Sequence, residues 1–397
     1  MNILFIGKCS TFQTANEILN KTRNNPGFQI IKFINLILEG FRYNHVNIEA
    51  ISNVNAACVG KKSEFKDGIH YQYIPSIQVP ILCQIAYAVM SFYYTFYWGL
   101  KHKQDGILFC DIFSSSSTVS GSVFAAKLLR IPICALVTDM ITTPLTTSLD
   151  TQSTYGRLFF AMRKHKQYKS LKQYDLFVFL TKFMAEIYNP NNRPYIIMEG
   201  SVDHTLQLDS DSYSQHDKKI IMYAGAIEAE YGFNELVQAF MKLSIQNIEL
   251  HIYGGGKFVS KLLEYQKNDS RIKYMGIVSN EQVVAAEKQA TILVNPRLSN
   301  QEFAKYSFPS KTSEYMVSGT PLVTTKLPGI PDEYFEHLYL FEEESIEGFA
   351  KKMQEILSLP YTELRQKGRD AQEFVLKNKN NIVQTKKIIN FFTQNIR

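Results

Sequence analysis

The stretch SFPSKTSEYMVSGTP (307–321) lies between two short apolar runs, TILVNPR (291–297) and PLVTT (321–325). Ser310 is placed to cap a helix that opens at Lys311, and Gly319 followed by Thr-Pro closes that helix. A helix held between two apolar strands is the repeating unit of a parallel sheet wrapped by helices. The same alternation extends outward from this stretch.

Toward the N-terminus, KIIMYAG (219–225), IELHIYGGG (248–256) and RIKYMG (271–276) read as strands, with FNELVQAFMKL (233–243) as a helix between the first two. A polar stretch, VDHTLQLDSDSYSQHDKK (202–219), reads as a linker. Before it the pattern occurs again: NILFIG (2–7), VNIEAIS (46–52), GILFCD (106–111), ICALVTD (133–139) and LFVFLT (176–181) are strands, interleaved with amphipathic stretches such as IIKFINLILEGF and SGSVFAAKLL. The expected organisation is α/β, with two Rossmann-like domains whose parallel sheets face a central cleft. Residues 1–200 form the N-terminal domain, 201–218 the linker and 219–378 the C-terminal domain. Residues 379–397 form a last helix, with Val383, Ile388, Phe391 and Phe392 at helical spacing, packing back toward the N-terminal domain. Ligands of such sheets bind beyond the carboxyl ends of the strands.

Composition sets outer limits. A chain of 397 residues with 45% hydrophobic and 20% charged residues is globular and not disordered. Residues 1–200 hold 20 Lys and Arg against 12 Asp and Glu, while the remainder is near neutral, so one domain is suited to an anionic surface. The basic residues are not interleaved with a nucleic-acid module, and no nucleic-acid partner is expected. The five cysteines, at 9, 58, 83, 110 and 134, have no zinc or C-x-x-C spacing and read as reduced thiols. MNILFIGKCS reads as a first strand and not a signal peptide, which points to the cytoplasm. No nucleophile triad is supported, because the eight histidines stand near no G-x-S-x-G or cysteine signature.

The mouth of the helix at 307–321 carries chemistry. Its first turn offers unpaired backbone N–H groups and the positive end of the helix dipole, so an anion such as phosphate belongs there. Lys311 adds a full charge, and Arg297, at the end of the preceding strand, can add a second. Glu314, one turn in, cannot ligate phosphate but can accept two hydroxyl donors, as a ribose offers. Phosphate plus ribose is a nucleotide. The competing reading is a capped surface helix with a solvated Lys and Glu.

This segment resembles the donor-binding segment of family 4 glycosyltransferases, which have the GT-B fold. In that family two glutamates eight positions apart flank a loop that holds the diphosphate of a nucleotide sugar. Glu314 matches the second, which holds the ribose, while Tyr306 stands where the first would contact the sugar. The resemblance implies that the backbone of Ser307, Phe308 and Ser310 faces the diphosphate. It extends over about 219–375, through YAGAIEAEYGFNELVQAF, HIYGGG, YMG and ILVNPR, and EGSVDHT (199–205) resembles the family's interdomain hinge. The family's Arg and Lys on the loop after YAG are replaced by Ala226 and Tyr231; Lys311 and Arg297 are the candidates to supply the missing charge. Gly225, Gly254 and Gly255 are candidates for close approach of backbone to nucleotide, against the alternative of a tight turn. Thr138 and Asp139 match the position that touches the transferred sugar in the family, with helix capping as the alternative.

The resemblance implies a retaining transfer from a nucleotide diphosphate donor, a UDP-hexose, without metal or other cofactor. The D-x-D at 209–211 lies in the polar linker and reads as a solvated loop. VPILCQIAYAVMSFYYTFYWGL (79–100) carries no charge and is followed by KHK; a membrane span, contact with a membrane surface and burial in the core are all compatible with it. With the basic run RKHKQYKSLKQYD (163–175), it fits a lipid-linked glycan acceptor and peripheral contact with an anionic inner membrane face, as in surface or capsular polysaccharide synthesis. Two alternatives share the fold: a non-catalytic GT-B partner of an active transferase, and a sugar-nucleotide 2-epimerase.

Overall fold

In the computed structural model, residues 1–77, 79–140, 168–208 and 218–396 are described. The D-x-D at 209–211, most of the polar stretch before Lys218, and residues 163–167 of the second basic run lie outside them. The chain divides into two units, Met1–Ser201 with Asn381–Arg397, and Val202–Asn380.

The first unit contains β1 (Asn2–Gly7), α1 (Phe12–Thr22), α2 (Phe28–Tyr43), β2 (Asn47–Ser52), β3 (Ser63–Lys66), β4 (Ile69–Tyr73), α3 (Pro80–Lys101), β5 (Gly106–Asp111), α4 (Ser116–Leu129), β6 (Ile133–Val137), β7 (Leu176–Phe179), α5 (Lys182–Tyr188) and β8 (Tyr195–Ile197). Among the described residues these strands form one sheet in the order β3-β4-β2-β1-β5-β6-β7-β8. Its central strands read as unbroken apolar runs because helices cover both faces; every residue of β5 is buried. The chain reverses its direction of strand addition between β1 and β5, which places this sheet's switch point there.

One part of the sheet departs from expectation. β3 pairs with β4 antiparallel, so the sheet is not wholly parallel. The turn is Asp67-Gly68, with φ of 52° and 79°. An Asp-Gly pair is the usual two-residue hairpin signal, because both central residues need positive φ.

The second unit contains β9 (Lys219–Ala226), α6 (Phe233–Met241), β10 (Ile248–Gly255), α7 (Val259–Asn268), β11 (Ile272–Gly276), α8 (Asn280–Gln289), β12 (Ile292–Asn295), α9 (Ser310–Val317), β13 (Leu322–Thr325), β14 (Tyr339–Phe341), α10 (Ile346–Leu357) and α11 (Tyr361–Asn378). Its described strands are parallel, in the order β11-β10-β9-β12-β13-β14. The switch point lies between β9 and β12, so the carboxyl ends of these two strands frame the natural ligand crevice of this unit.

The last helix, α12 (Asn381–Asn395), belongs to the first unit. Ile388, Phe391 and Phe392 join that unit's core, and Phe392 meets Phe109 of β5 edge-on at 5.8 Å between ring centroids. Gly40 of α2 gives room for the contact, since a Cβ there would stand 2.3 Å from the Asn381 carbonyl oxygen.

Candidate functional site

The rim of the second sheet is built first by backbone. β9 and β10 end side by side, with Gly225 opposite Gly254 and Ala226 opposite Gly255. Gly254 has φ +123°, and a Cβ on it would lie 1.9 Å from the Gly225 oxygen, so only glycine lets the two strand ends approach this closely. Beside them β12 ends at Asn295, and the chain continues through Pro296 and Arg297.

α9 follows, and here one expectation needs correcting. Ser310 does not cap the helix; it is its first helical residue, and the cap position is Pro309 in extended conformation, with no side-chain cap bond. Proline has no side-chain acceptor to offer. The start of α9 is therefore open to an external anion in a way that a serine cap would have prevented. The far end behaves as expected, with Gly319 at φ +72° after the last turn. α9 is fixed to β9 by Tyr315, which is fully buried: its hydroxyl accepts from the Ala224 N–H at 2.8 Å and donates to the Ala224 oxygen at 3.0 Å.

Cations reach the rim from two sides. The Lys311 side chain lies beside the end of β9, its Cε 3.3 Å from the point a Gly225 Cβ would occupy, with the Tyr223 hydroxyl 2.7 Å from the same point. Lys311 Nζ also pairs with Glu314 Oε2 at 3.3 Å, so the two residues one turn apart share one edge of α9. The Arg297 guanidinium lies 4.4 Å over the Tyr231 ring and 5.3 Å from Phe303, and its Nη1 donates to Ser307 Oγ at 3.3 Å. Thr325 Oγ1 donates to the Arg297 oxygen at 2.5 Å and fixes its backbone. Tyr223 lies near both cations, its hydroxyl donating to the Ala226 oxygen at 2.9 Å. Burial pushes its phenol above the ordinary tyrosine range, and the nearby Arg297 charge opposes that shift.

Ser307, Phe308 and Tyr306 lie on the loop between β12 and α9, Tyr306 closing a 3₁₀ turn from Glu302. The Phe308 ring is buried against Tyr334, with centroids 5.5 Å apart, so only its backbone can face a ligand. Thus Arg297, Ser307, Ser310, Lys311, Glu314, Gly225, Ala226, Tyr231, Gly254 and Gly255 all belong to the carboxyl-end loops and helix starts of one sheet. Thr138 and Asp139 belong to the first unit, just past β6; Asp139 is exposed, and its Oδ1 accepts from the Met140 N–H at 2.7 Å.

Sequence reading missed two features. Asn295 Nδ2, Thr312 Oγ1, Ser313 Oγ and Thr324 Oγ1 are buried without a hydrogen-bond partner. Asn295 stands opposite Thr324 across β12 and β13, and Thr312 and Ser313 are in the first turn of α9. Buried polar atoms normally find partners, so this cluster is suited to a ligand or ordered water. The second is Asp111, 4% exposed at the carboxyl end of β5, where burial raises its carboxyl to about 6 while the Phe113 N–H donates to Oδ1 at 3.0 Å. The only signal for it was a charge ending an otherwise apolar strand.

The family model described as glycosyl transferases group 1 matches residues 207–373. No curated protein matches the chain in sequence. Solved structures match it over nearly its whole length. A glycosyltransferase from Rickettsia africae has a TM-score of 0.67 at 14% identity, covering 100% of this chain and 98% of that one. Sucrose-phosphate synthase from Thermosynechococcus elongatus has a TM-score of 0.64 at 14% identity, covering 99% and 98%. HepE from Anabaena in complex with UDP has a TM-score of 0.62 at 12% identity, covering 99% and 100%. At these identities the likeness establishes the fold. With α/β sheets that are parallel in both units apart from β3, and near full-length likeness to solved GT-B structures, the chain has the GT-B fold, and its residues 207–373, which build the rim, are similar to the group 1 glycosyltransferases.

Proposed function

We propose that this chain is a glycosyltransferase that moves a hexose from a UDP-hexose to a hydroxyl of a lipid-linked glycan acceptor, with retention of anomeric configuration and without metal. The observation that carries the reading is the Arg297 guanidinium stacked on Tyr231. Position 231 is one of the two where the resembling family places a diphosphate-binding cation, and here a cation from the end of β12 covers its side chain. Lys311 at the open start of α9 supplies a second charge.

In this reading the diphosphate rests on the first-turn amides of α9, between Lys311 and Arg297. Both cations stabilise the charge that develops as the bond from the sugar's anomeric carbon to phosphate oxygen breaks. The acceptor oxygen forms the new bond to that carbon, and its proton passes to a phosphate oxygen of the departing diphosphate. Glu314 accepts the ribose hydroxyls once the nucleotide draws Lys311 toward phosphate. Thr138 and Asp139 contact the transferred sugar. Catalysis rests on positioning and electrostatic stabilisation. The basic first 200 residues suit an acceptor at an anionic inner membrane face, as in the synthesis of a surface or capsular polysaccharide.

The test is donor hydrolysis. Purified protein is expected to release UDP slowly from a UDP-hexose, and Lys311→Ala to lower that release about tenfold or more, the loss expected for one charge-assisted contact. Tight donor binding without turnover over a full panel of nucleotide sugars would make the chain a non-catalytic partner instead. No thermal stabilisation by any nucleoside diphosphate would refute the donor site altogether.

A further inference from the structure

α3 carries more large apolar residues outward than a helix that faces water normally does. Its buried side holds Tyr87 and Trp98 together with small or polar residues: Ser91 and Thr95 are fully buried, and Thr95 Oγ1 donates to Ser122 Oγ of α4 at 2.9 Å. A Cβ on Gly121 of α4 would lie 2.1 Å from the Ala88 oxygen, so the two backbones pack as closely as small residues permit. Its outward residues are large and apolar. Leu82, Ile85, Val89, Tyr93 and Leu100, spaced to form one stripe, are 52% to 63% exposed. Phe124 and Leu128 of α4 are exposed as well, and Phe124 joins the ring of Phe92 at 5.7 Å. No charged residue occurs from Pro80 to Leu100, a length of about 32 Å at 1.5 Å per residue.

Charge is gathered at one end of this stripe. Gly99 of α3 lies against Leu129 and Ile131, so α3 and α4 run in the same direction and finish together. Lys101 ends α3 and Lys103 follows it, Lys127 and Arg130 close α4, and all four are exposed. Lys101 Nζ lies 4.4 Å over the exposed Tyr97 ring. Between residues 80 and 130 the only carboxylates are Asp105 and Asp111. Asp105 is engaged by the chain's amino terminus at 3.6 Å and by Asn2 Nδ2 at 2.7 Å, and Asp111 is buried.

We propose that the outward face of α3, with Phe124 and Leu128, is a docking surface for an anionic lipid bilayer, α3 lying in the plane of the interface and the four cations engaging lipid phosphate. Among the described residues no helix is long and apolar enough to cross a membrane, so contact is interfacial. Exposed tyrosines, amphipathic rings suited to the headgroup level, fit that depth. A second copy of this chain fits the face less well, because its own α3 and α4 offer the four cations no accessible carboxylate, whereas an anionic leaflet does. The inference rests on the membrane-associated part of the reading above and on none of its chemistry.

The experiment is flotation of the full chain with vesicles of phosphatidylcholine alone and of phosphatidylcholine with phosphatidylglycerol, without donor. The protein is expected to float with the anionic vesicles and to lose most of that binding at high salt. Val89→Glu with Leu100→Glu should reduce flotation tenfold or more while thermal stability and UDP release from soluble donor are retained. Lys127→Ser with Arg130→Ser should weaken binding and flatten its salt dependence. Flotation of the glutamate variant equal to that of the parent would overturn the proposal. So would absence of flotation with either vesicle, or a change from dimer to monomer on introducing the glutamates without any lipid binding. Failure to release UDP leaves flotation unaffected and would count against the chemistry alone.

Discussion

Asp111 is a carboxyl group held where water does not reach, and its titration is a measurable property of the fold. The unfolded chain loses this proton near the ordinary aspartate value, the folded chain only near pH 6. Between those values the folded state holds more proton, so stability falls as pH rises, by at most about 3 kcal/mol. Asp111→Asn keeps an acceptor for the Phe113 N–H and removes the charge. It is expected to stabilise the protein at pH 7.5 and to do little at pH 4, as read by urea denaturation at both values; an equal effect at the two would refute burial as the cause. Arg297 gives a second prediction at this scale. A lysine there keeps the charge but loses the planar group that rests on Tyr231 and donates to Ser307. Arg297→Lys is expected to weaken UDP binding about tenfold, measured by calorimetry. Lys311 and Glu314 were legible in the sequence because three positions on a helix fix their neighbourhood. The contact of Arg297 with Tyr231 was not, because no local periodicity joins residues on different loops.

α9 shows how attachments position a candidate site. Its eight residues are short for a stable helix, and its place depends on Tyr315 bonding both polar groups of Ala224 on β9. Tyr315→Phe leaves that buried backbone pair without its partner and is expected to lower stability by about 2–3 kcal/mol. Because the same bond positions the open start of the helix, UDP affinity should fall as well; unchanged affinity in a destabilised variant would separate the anchor from the site. Element reading from sequence worked where apolar runs were long, as in β1, β5 and β9. It missed β14, a three-residue edge strand, and the β3-β4 hairpin, although Asp67-Gly68 carried the turn signal. β14 is too short to show periodicity, and β3 is exposed along most of its length and is decided by its pairing with β4.

For the whole molecule, the last helix is the informative feature. α12 follows the second unit in sequence but completes the core of the first, where Phe392 is fully buried against Phe109. Phe392→Ala is expected to destabilise the first unit by about 3–5 kcal/mol. The expected calorimetric signature is one lowered transition, with the transition that UDP shifts upward left in place; a loss spread equally over both transitions would argue against this assignment. By itself the amino-acid sequence determined the α/β class, the alternation that makes two Rossmann-like units, and the helix between strands that carries Lys311 and Glu314. Each of these depends on residues near one another in the chain, where hydrophobic period and turn chemistry act directly. Only the tertiary structure decided that Pro309 and not Ser310 occupies the cap, that Arg297 covers Tyr231, that Asp111 is buried, and that α3 turns its apolar stripe outward. Those outcomes depend on which surfaces meet across long separations in sequence, and a pattern of apolar residues states that a face exists without stating what covers it.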